Sequence, residues 1–332
     1  MHIGQTLHAA IAMGLGSAML SLASMASAQQ PSRDLDIYAL ERARQGKCVP
    51  GTPMCGQGGV PKIINGREAE AGRFPWVVSV GIAEAINFNG HRCGGTIIAE
   101  RYVLTAAHCF GAGAPPSLYA VQSGTVSLGR YMDKTKVKRI LIHPDFDPDT
   151  LVADVALLEM QEPFVWSDAV KPVTLEDDDT FRKSGHEDVN SVAIYTVTGF
   201  GQTSDNGLPA SRLRYADNLP SLTTDKCRAL KDWNEPVLGD ALKAGMICAG
   251  DTNNTDGSDA CHGDSGGGLI YYVAPDQPRV AGIVSRGARA DGKFDCTDNP
   301  LRVGVYTKVS TYLPAIEACI NHDPACIFRS VN

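Results

Sequence analysis

From residue 63 onward the apolar positions of this chain fall in short runs, and Gly, Asn and Asp separate one run from the next. Phe74-Pro75-Trp76-Val77-Val78-Ser79-Val80, Ser191-Val192-Ala193-Ile194-Tyr195-Thr196-Val197 and Arg279-Val280-Ala281-Gly282-Ile283-Val284 show the pattern. Runs of β-branched and aromatic residues bounded by turn residues predict strands. Helical pattern is confined to the stretch around Asp225 to Trp233 and to the tail after Tyr312. Together these predict an all-β body with a terminal helix.

The first 62 residues read differently. Residues 8 to 28 carry no Lys, Arg, Asp or Glu and end in Ala26-Ser27-Ala28. That is an apolar core followed by an A-x-A cleavage site, which predicts a signal peptide over residues 1–28. Its Gly, Ser and Ala content makes it a poor spanning helix. Gln29 to Lys62 has the composition of a loop, with Gly51-Thr52-Pro53 and Gly56-Gln57-Gly58-Gly59-Val60-Pro61.

Composition narrows the class. A chain of 332 residues, 43% hydrophobic and 20% charged, is globular. Ten cysteines in an exported protein predict disulfides, whose connectivity spacing alone does not fix. No C-x-x-C pair is present, which argues against a zinc site built on them. The net charge is −7; without residues 1–62, which hold five basic and three acidic residues, 25 basic face 34 acidic, a net of −9. An acidic body argues against nucleic acid as a partner and suits cationic substrates.

The candidate chemistry lies in three segments: Thr105-Ala106-Ala107-His108-Cys109, Asp154-Val155-Ala156-Leu157-Leu158 and Gly263-Asp264-Ser265-Gly266-Gly267-Gly268. A hydroxyl attacks an amide only when a base takes its proton, a third group orients that base, and N–H donors face the developing oxyanion. Glycines beside the serine leave room for such donors. Gly263 to Gly267 also fits G-x-S-x-G, the nucleophile elbow of α/β-hydrolases, so a serine esterase of another fold is an alternative. That fold needs its acid and histidine after the serine; His322 is the only histidine there, and the helical crossovers are missing.

In their order His…Asp…Ser, these segments resemble the chymotrypsin/trypsin family of serine peptidases, and the resemblance runs from Ile63 to the C-terminus. It implies two six-stranded Greek-key β-barrels with the active site in the cleft between them, plus a C-terminal helix. His108 and Asp154 would come from the first barrel and Ser265 from the second. His108 is then base and acid, Asp154 its orienting partner, and Ser265 the nucleophile. The N–H groups of Gly263 and Ser265 would form the oxyanion hole. Implied disulfides are Cys93–Cys109, Cys227–Cys248 and Cys261–Cys296. Cys48, Cys55, Cys319 and Cys326 remain, to be joined locally (48 with 55, 319 with 326) or crosswise. Ile63-Ile64-Asn65-Gly66 resembles a mature N-terminus freed by cutting after Lys62, which makes residues 29–62 an activation pro-segment and 63–332 the peptidase domain. The new α-amine would pair with Asp264, and without it Asp264 should stay out of its buried position.

The resemblance also implies a substrate. Asp259 would floor a pocket for Arg or Lys, with Ser285, Gly287 and Gly304 around it and Leu151 walling the next subsite. Lys62 meets the same preference, so self-activation is consistent with it. Arg286 and Phe200 each replace a family Trp, Ala260 replaces a Ser and Gly268 a Pro. The segment Val121 to Gly129 has no carboxylate, so the calcium loop of trypsins has no counterpart and no calcium is expected; the resemblance implies no other metal and no cofactor. The expected product is a secreted, monomeric endopeptidase acting on proteins or peptides and open to protein inhibitors, with no membrane contact once the signal is removed. A catalytically silent binding relative is the other alternative.

Overall fold

The structure, a computed structural model, describes residues 63, 66–85, 90–111, 113–129, 134–183, 193–202, 208–229, 245–251, 259–288 and 302–331. The expected signal peptide, the pro-segment with Lys62, Cys48 and Cys55, and Cys296 lie outside them. The described residues belong to one compact unit, residues 59–332.

Fifteen strands carry the described fold. β1 (Arg67–Glu68) precedes the first barrel, which is β2 (Val77–Ile82), β3 (His91–Ala99), β4 (Tyr102–Thr105), β5 (Tyr119–Gln122), β6 (Thr135–Ile142) and β7 (Ala156–Met160). These pair antiparallel in the order β6-β5-β2-β3-β4-β7, and β6 joins β7 to close the ring. β8 (Thr174–Leu175) leads to the second barrel: β9 (Ile194–Gly199), β10 (Arg214–Leu222), β11 (Met246–Asp251), β12 (Gly268–Tyr272), β13 (Pro278–Ala288) and β14 (Arg302–Lys308). Its order is β10-β11-β14-β13-β12-β9, closed by β10 with β9. β1 adds to β10 and β8 to β13 as outriggers. Two closed six-stranded barrels are therefore present, and the α/β-hydrolase alternative is excluded by fold.

Burial explains the alternation. β2, β4 and β7 are buried along almost their whole length, since each packs in its barrel and against neighbouring turns. β6 alternates from Lys136 to Lys138, outward on either side of the buried Val137, and the register shift between Val137 and Arg139 then leaves Lys138 and Arg139 both outward. The predicted run from Phe74 enters its ladder at Val77, after a turn in which Val77 N–H bonds the Phe74 carbonyl, with the Trp76 carbonyl already accepting Ile97 N–H.

Among the described residues helices are few: α1 (Asp178–Lys183), α2 (Thr224–Ala229) and α3 (Val309–Ile320). α3 starts three residues before the predicted Tyr312, and α1 was not foreseen. The chain does not end on α3. Cys319–Cys326 closes a short loop, the local pairing expected from sequence, and β15 (Arg329–Val331) then docks on β6 of the first barrel. His322, placed by its sequence in the terminal helix, lies beyond it with φ 56°. Cys93–Cys109 and Cys227–Cys248 are formed as the resemblance implied; Cys261 is disulfide-bonded too.

Candidate active site

His108 sits in a single 3-10 turn, Ala107–Cys109, directly after β4. The Cys93–Cys109 disulfide ties that turn to β3. Asp154 ends the loop between β6 and β7 and is fully buried. Its Oδ1 accepts the backbone N–H of His108 at 2.9 Å, and its Oδ2 meets His108 Nδ1 at 2.7 Å. Ser285 Oγ on β13 donates to the same Oδ2 at 2.6 Å. A carboxylate only accepts, so Nδ1 carries the hydrogen and Nε2 of the neutral ring is left as the basic atom. Three donors offset a desolvation that would otherwise cost several kcal/mol.

The loop before Asp154 is strained. Leu151 and Ala153 hold φ of 54° and 52°, a conformation costing of order 1–3 kcal/mol for each non-glycine residue. Asp147 closes the first half: its Oδ1 accepts the N–H of Asp149 at 2.9 Å and of Thr150 at 3.3 Å. Those bonds, the one from Asp149 first, hold its carboxyl below the usual range. Thr307 on β14 donates to the carbonyl of Asp154 at 3.0 Å.

Ser265 arrives from the second barrel, in the turn before β12. Its carbonyl accepts the N–H of Gly94 on β3 at 2.8 Å, and Cys109 Sγ lies 3.8 Å from that oxygen. Gly266 has φ 82°, and a Cβ there would stand 2.2 Å from Thr105 Oγ1 and 3.0 Å from Ala106 N. The serine turn is thus pressed against the residues that lead into His108. Around Ser265 the N–H groups of Asp264, Gly266 and Gly267 are bonded to Cys261, Val284 and Asp264 carbonyls. Those of Gly263 and Ser265 have no acceptor among the described residues.

Gly263, at φ 94°, is held by a residue the sequence reading missed. His91 Nε2 meets the Gly263 carbonyl at 2.9 Å, and His91 Nδ1 meets Ser79 Oγ at 2.7 Å. Burial pulls the His91 pKa down to about 4, so the ring is neutral, Nε2 donates and Ser79 donates to Nδ1. A histidine inside an apolar strand near a serine on the paired strand was the only available signal.

Asp264 corrects an expectation. In this uncleaved chain it is already fully buried. Its Oδ1 accepts from Gly201 N–H at 2.7 Å and its Oδ2 from Cys261 N–H at 2.9 Å. Two backbone amides do what the freed amine alone was expected to do. They do so incompletely, because burial still raises the Asp264 pKa to about 6. Ile63 has its side chain in the second barrel's core with Tyr195, Leu269 and Tyr306.

The expected pocket residues also gather. Asp259 is buried and its Oδ1 accepts Ala260 N–H at 2.7 Å. Gly287 and Gly304 face each other across β13 and β14. Nothing lies within 4 Å of a Cβ on Gly287, whereas one on Gly304 would be 2.6 Å from Tyr306 Oη. That phenol is buried and has no hydrogen-bond partner among the described residues. Burial, then the charges of Asp259 and Asp264, push its pKa well up. Ser285, expected at the pocket, spends its hydroxyl on Asp154 and sits at the irregularity of the β13–β14 ladder between Val284 and Arg286. Leu151 is half-buried beside Asp154.

A family model described as Trypsin matches residues 63–316. The human protein Serine protease 56 is 32% identical over 273 residues, covering 80% of this chain and 40% of that protein. The chain therefore spans about two fifths of the length of that relative.

Proposed function

Because the chain belongs to the trypsin family of serine peptidases, we propose that it is a secreted endopeptidase that cuts after Arg or Lys and is activated by a cut between Lys62 and Ile63. In this mechanism Nε2 of His108 takes the proton of Ser265, whose oxygen attacks the peptide carbonyl. Asp154 keeps Nδ1 protonated and stabilises the imidazolium that forms. The N–H groups of Gly263 and Ser265 receive the oxyanion. His108 then protonates the leaving amine, and water releases the acyl group by the reverse steps.

The observation that carries the reading is the bond chain Ser285–Asp154–His108 beside a serine turn whose Gly263 and Ser265 N–H groups have no acceptor among the described residues. Asp259 and the Tyr306 phenol, which has no partner among the described residues, support a cationic side chain in the pocket. A desolvated carboxylate favours such a side chain over a neutral one by about 2–5 kcal/mol. The cut at Lys62 would free the Ile63 amine as a further partner for Asp264.

The test is a peptide-library profile of the chain cut after Lys62, with labelling by a serine-directed phosphonate. Cleavage after Arg and Lys, and labelling that Ser265→Ala abolishes, are expected. Cleavage elsewhere would overturn the specificity; no labelling would leave the silent binding protein.

A further inference from the structure

Arg286 lies between Ser285, whose hydroxyl holds Asp154, and Gly287. Its guanidinium is mostly buried, unusual for an arginine. Nη1 donates to the carbonyl of Thr150 at 2.9 Å, and Nη2 lies 3.9 Å from Met246 Sδ. Burial lowers its pKa, and the negative charge of Asp154 opposes that fall. A second-barrel side chain therefore grips the backbone of the first-barrel loop that bears Asp154, within reach of that carboxylate's field.

The loop has reason to be gripped there. Its early part is closed by Asp147: Leu151 N–H donates to the Asp147 carbonyl at 2.7 Å, and Asp147 N–H to the Val152 carbonyl at 3.1 Å. Its end is held by Ser285 and Thr307 on Asp154. Thr150 stands at the apex, directly before the two left-handed residues Leu151 and Ala153. Arg286 supplies the donor for its carbonyl. Without that bond, the strained stretch between Thr150 and Asp154 would keep its Asp147 bonds but lose its tie to the second barrel at Thr150.

From this geometry we infer that Arg286 is a positioning residue: a strut from β13 that fixes Thr150 and so sets where Asp154 meets His108. The inference rests on the reading that His108, Asp154 and Ser265 do the chemistry. Its test has two arms. In the full chain, the low-field proton resonance of the His108–Asp154 bond is assigned by its loss in Asp154→Asn. Arg286→Met should shift or broaden that resonance, and Arg286→Lys should largely retain it. In chain cut after Lys62, Arg286→Met should lower kcat about tenfold with KM held within about twofold, and Lys should recover at least about a third of the loss. Should Arg286→Met not fold, Arg286→Gln, whose amide is too short to reach Thr150, takes its place. A resonance unmoved by Met, a change confined to KM, or equal losses for Met and Lys would overturn the strut. A resonance that moves in a chain with no peptidase activity would instead uphold the strut and overturn the activity.

Discussion

At the scale of single residues, two buried groups pull stability in opposite directions. Asp264 has its pKa raised from 3.8 to about 6, so the native state holds that proton more tightly than the unfolded chain does. Its contribution therefore grows as pH falls from 6 towards 3.8, by about 3 kcal/mol in all. His91 is lowered from 6.5 to about 4, so protonation favours the unfolded chain. Its contribution is complete above pH 6.5 and is lost as pH falls towards 4, again by about 3 kcal/mol. The uncut chain should show nearly flat stability between pH 4 and 6.5. Asp264→Asn should then make it fall with acid, and His91→Gln should make it rise. Urea titrations at a series of pH values measure all three curves; parallel curves would refute the pairing. Gly266 is a second case. Its positive φ and the Thr105 oxygen 2.2 Å from any Cβ leave an alanine nowhere to go. Gly266→Ala should cost roughly 3 kcal/mol or more and abolish phosphonate labelling of Ser265. The specific signals GDSGGG and TAAHC were legible here because chemistry restricts residue types. His91 and Arg286 were not legible as contacts, because nothing local says what a buried histidine or arginine touches.

At the scale of elements, the addition beyond the matched family segment stands out. Residues after 316 continue α3, close the Cys319–Cys326 loop and lay β15 on β6. Phe328 packs edge-on against His143, with ring centroids 5.3 Å apart, and Tyr312 meets the same imidazole at 5.0 Å. His143 N–H donates to the carbonyl of Val155, the residue after Asp154. Removing residues 321–332 should therefore cost about 2–4 kcal/mol, from lost burial of Phe328 and the lost disulfide. Calorimetry should show a Tm lower by roughly 5–15 °C; an unchanged Tm would mean that the tail bears no load. Strand content was readable from short β-branched runs, and β15 was not. Three residues, Arg329-Ser330-Val331, carry too little pattern to be distinguished from loop until an open edge is beside them.

At the scale of the whole molecule, the cleft exists because two closed barrels meet. The first contributes His108 and Asp154, and the second contributes Ser265 and the side chains that hold Asp154. Since Asp264 is already buried in the uncut chain, the cut after Lys62 has less to build than the resemblance implied. The uncut chain should label with the phosphonate slowly but measurably, and the cut should accelerate labelling by about 10²-fold. Labelling rates before and after the cut decide this; complete inertness of the uncut chain would show that Asp264 burial leaves the oxyanion hole unformed.

The residues that suit an acyl transfer, their order, and an all-β body followed by a helix were settled by the chain's own chemistry and periodicity. Each depends on residue type, or on neighbours within a few positions. The tertiary structure alone decided that Asp264 finds amide donors without a free amine, that His91 holds Gly263, and that Arg286 reaches Thr150. Apart from the Cys261 amide, three positions from Asp264, those contacts join residues from 63 to 172 positions apart, and only the closing of both barrels brings them within hydrogen-bond distance.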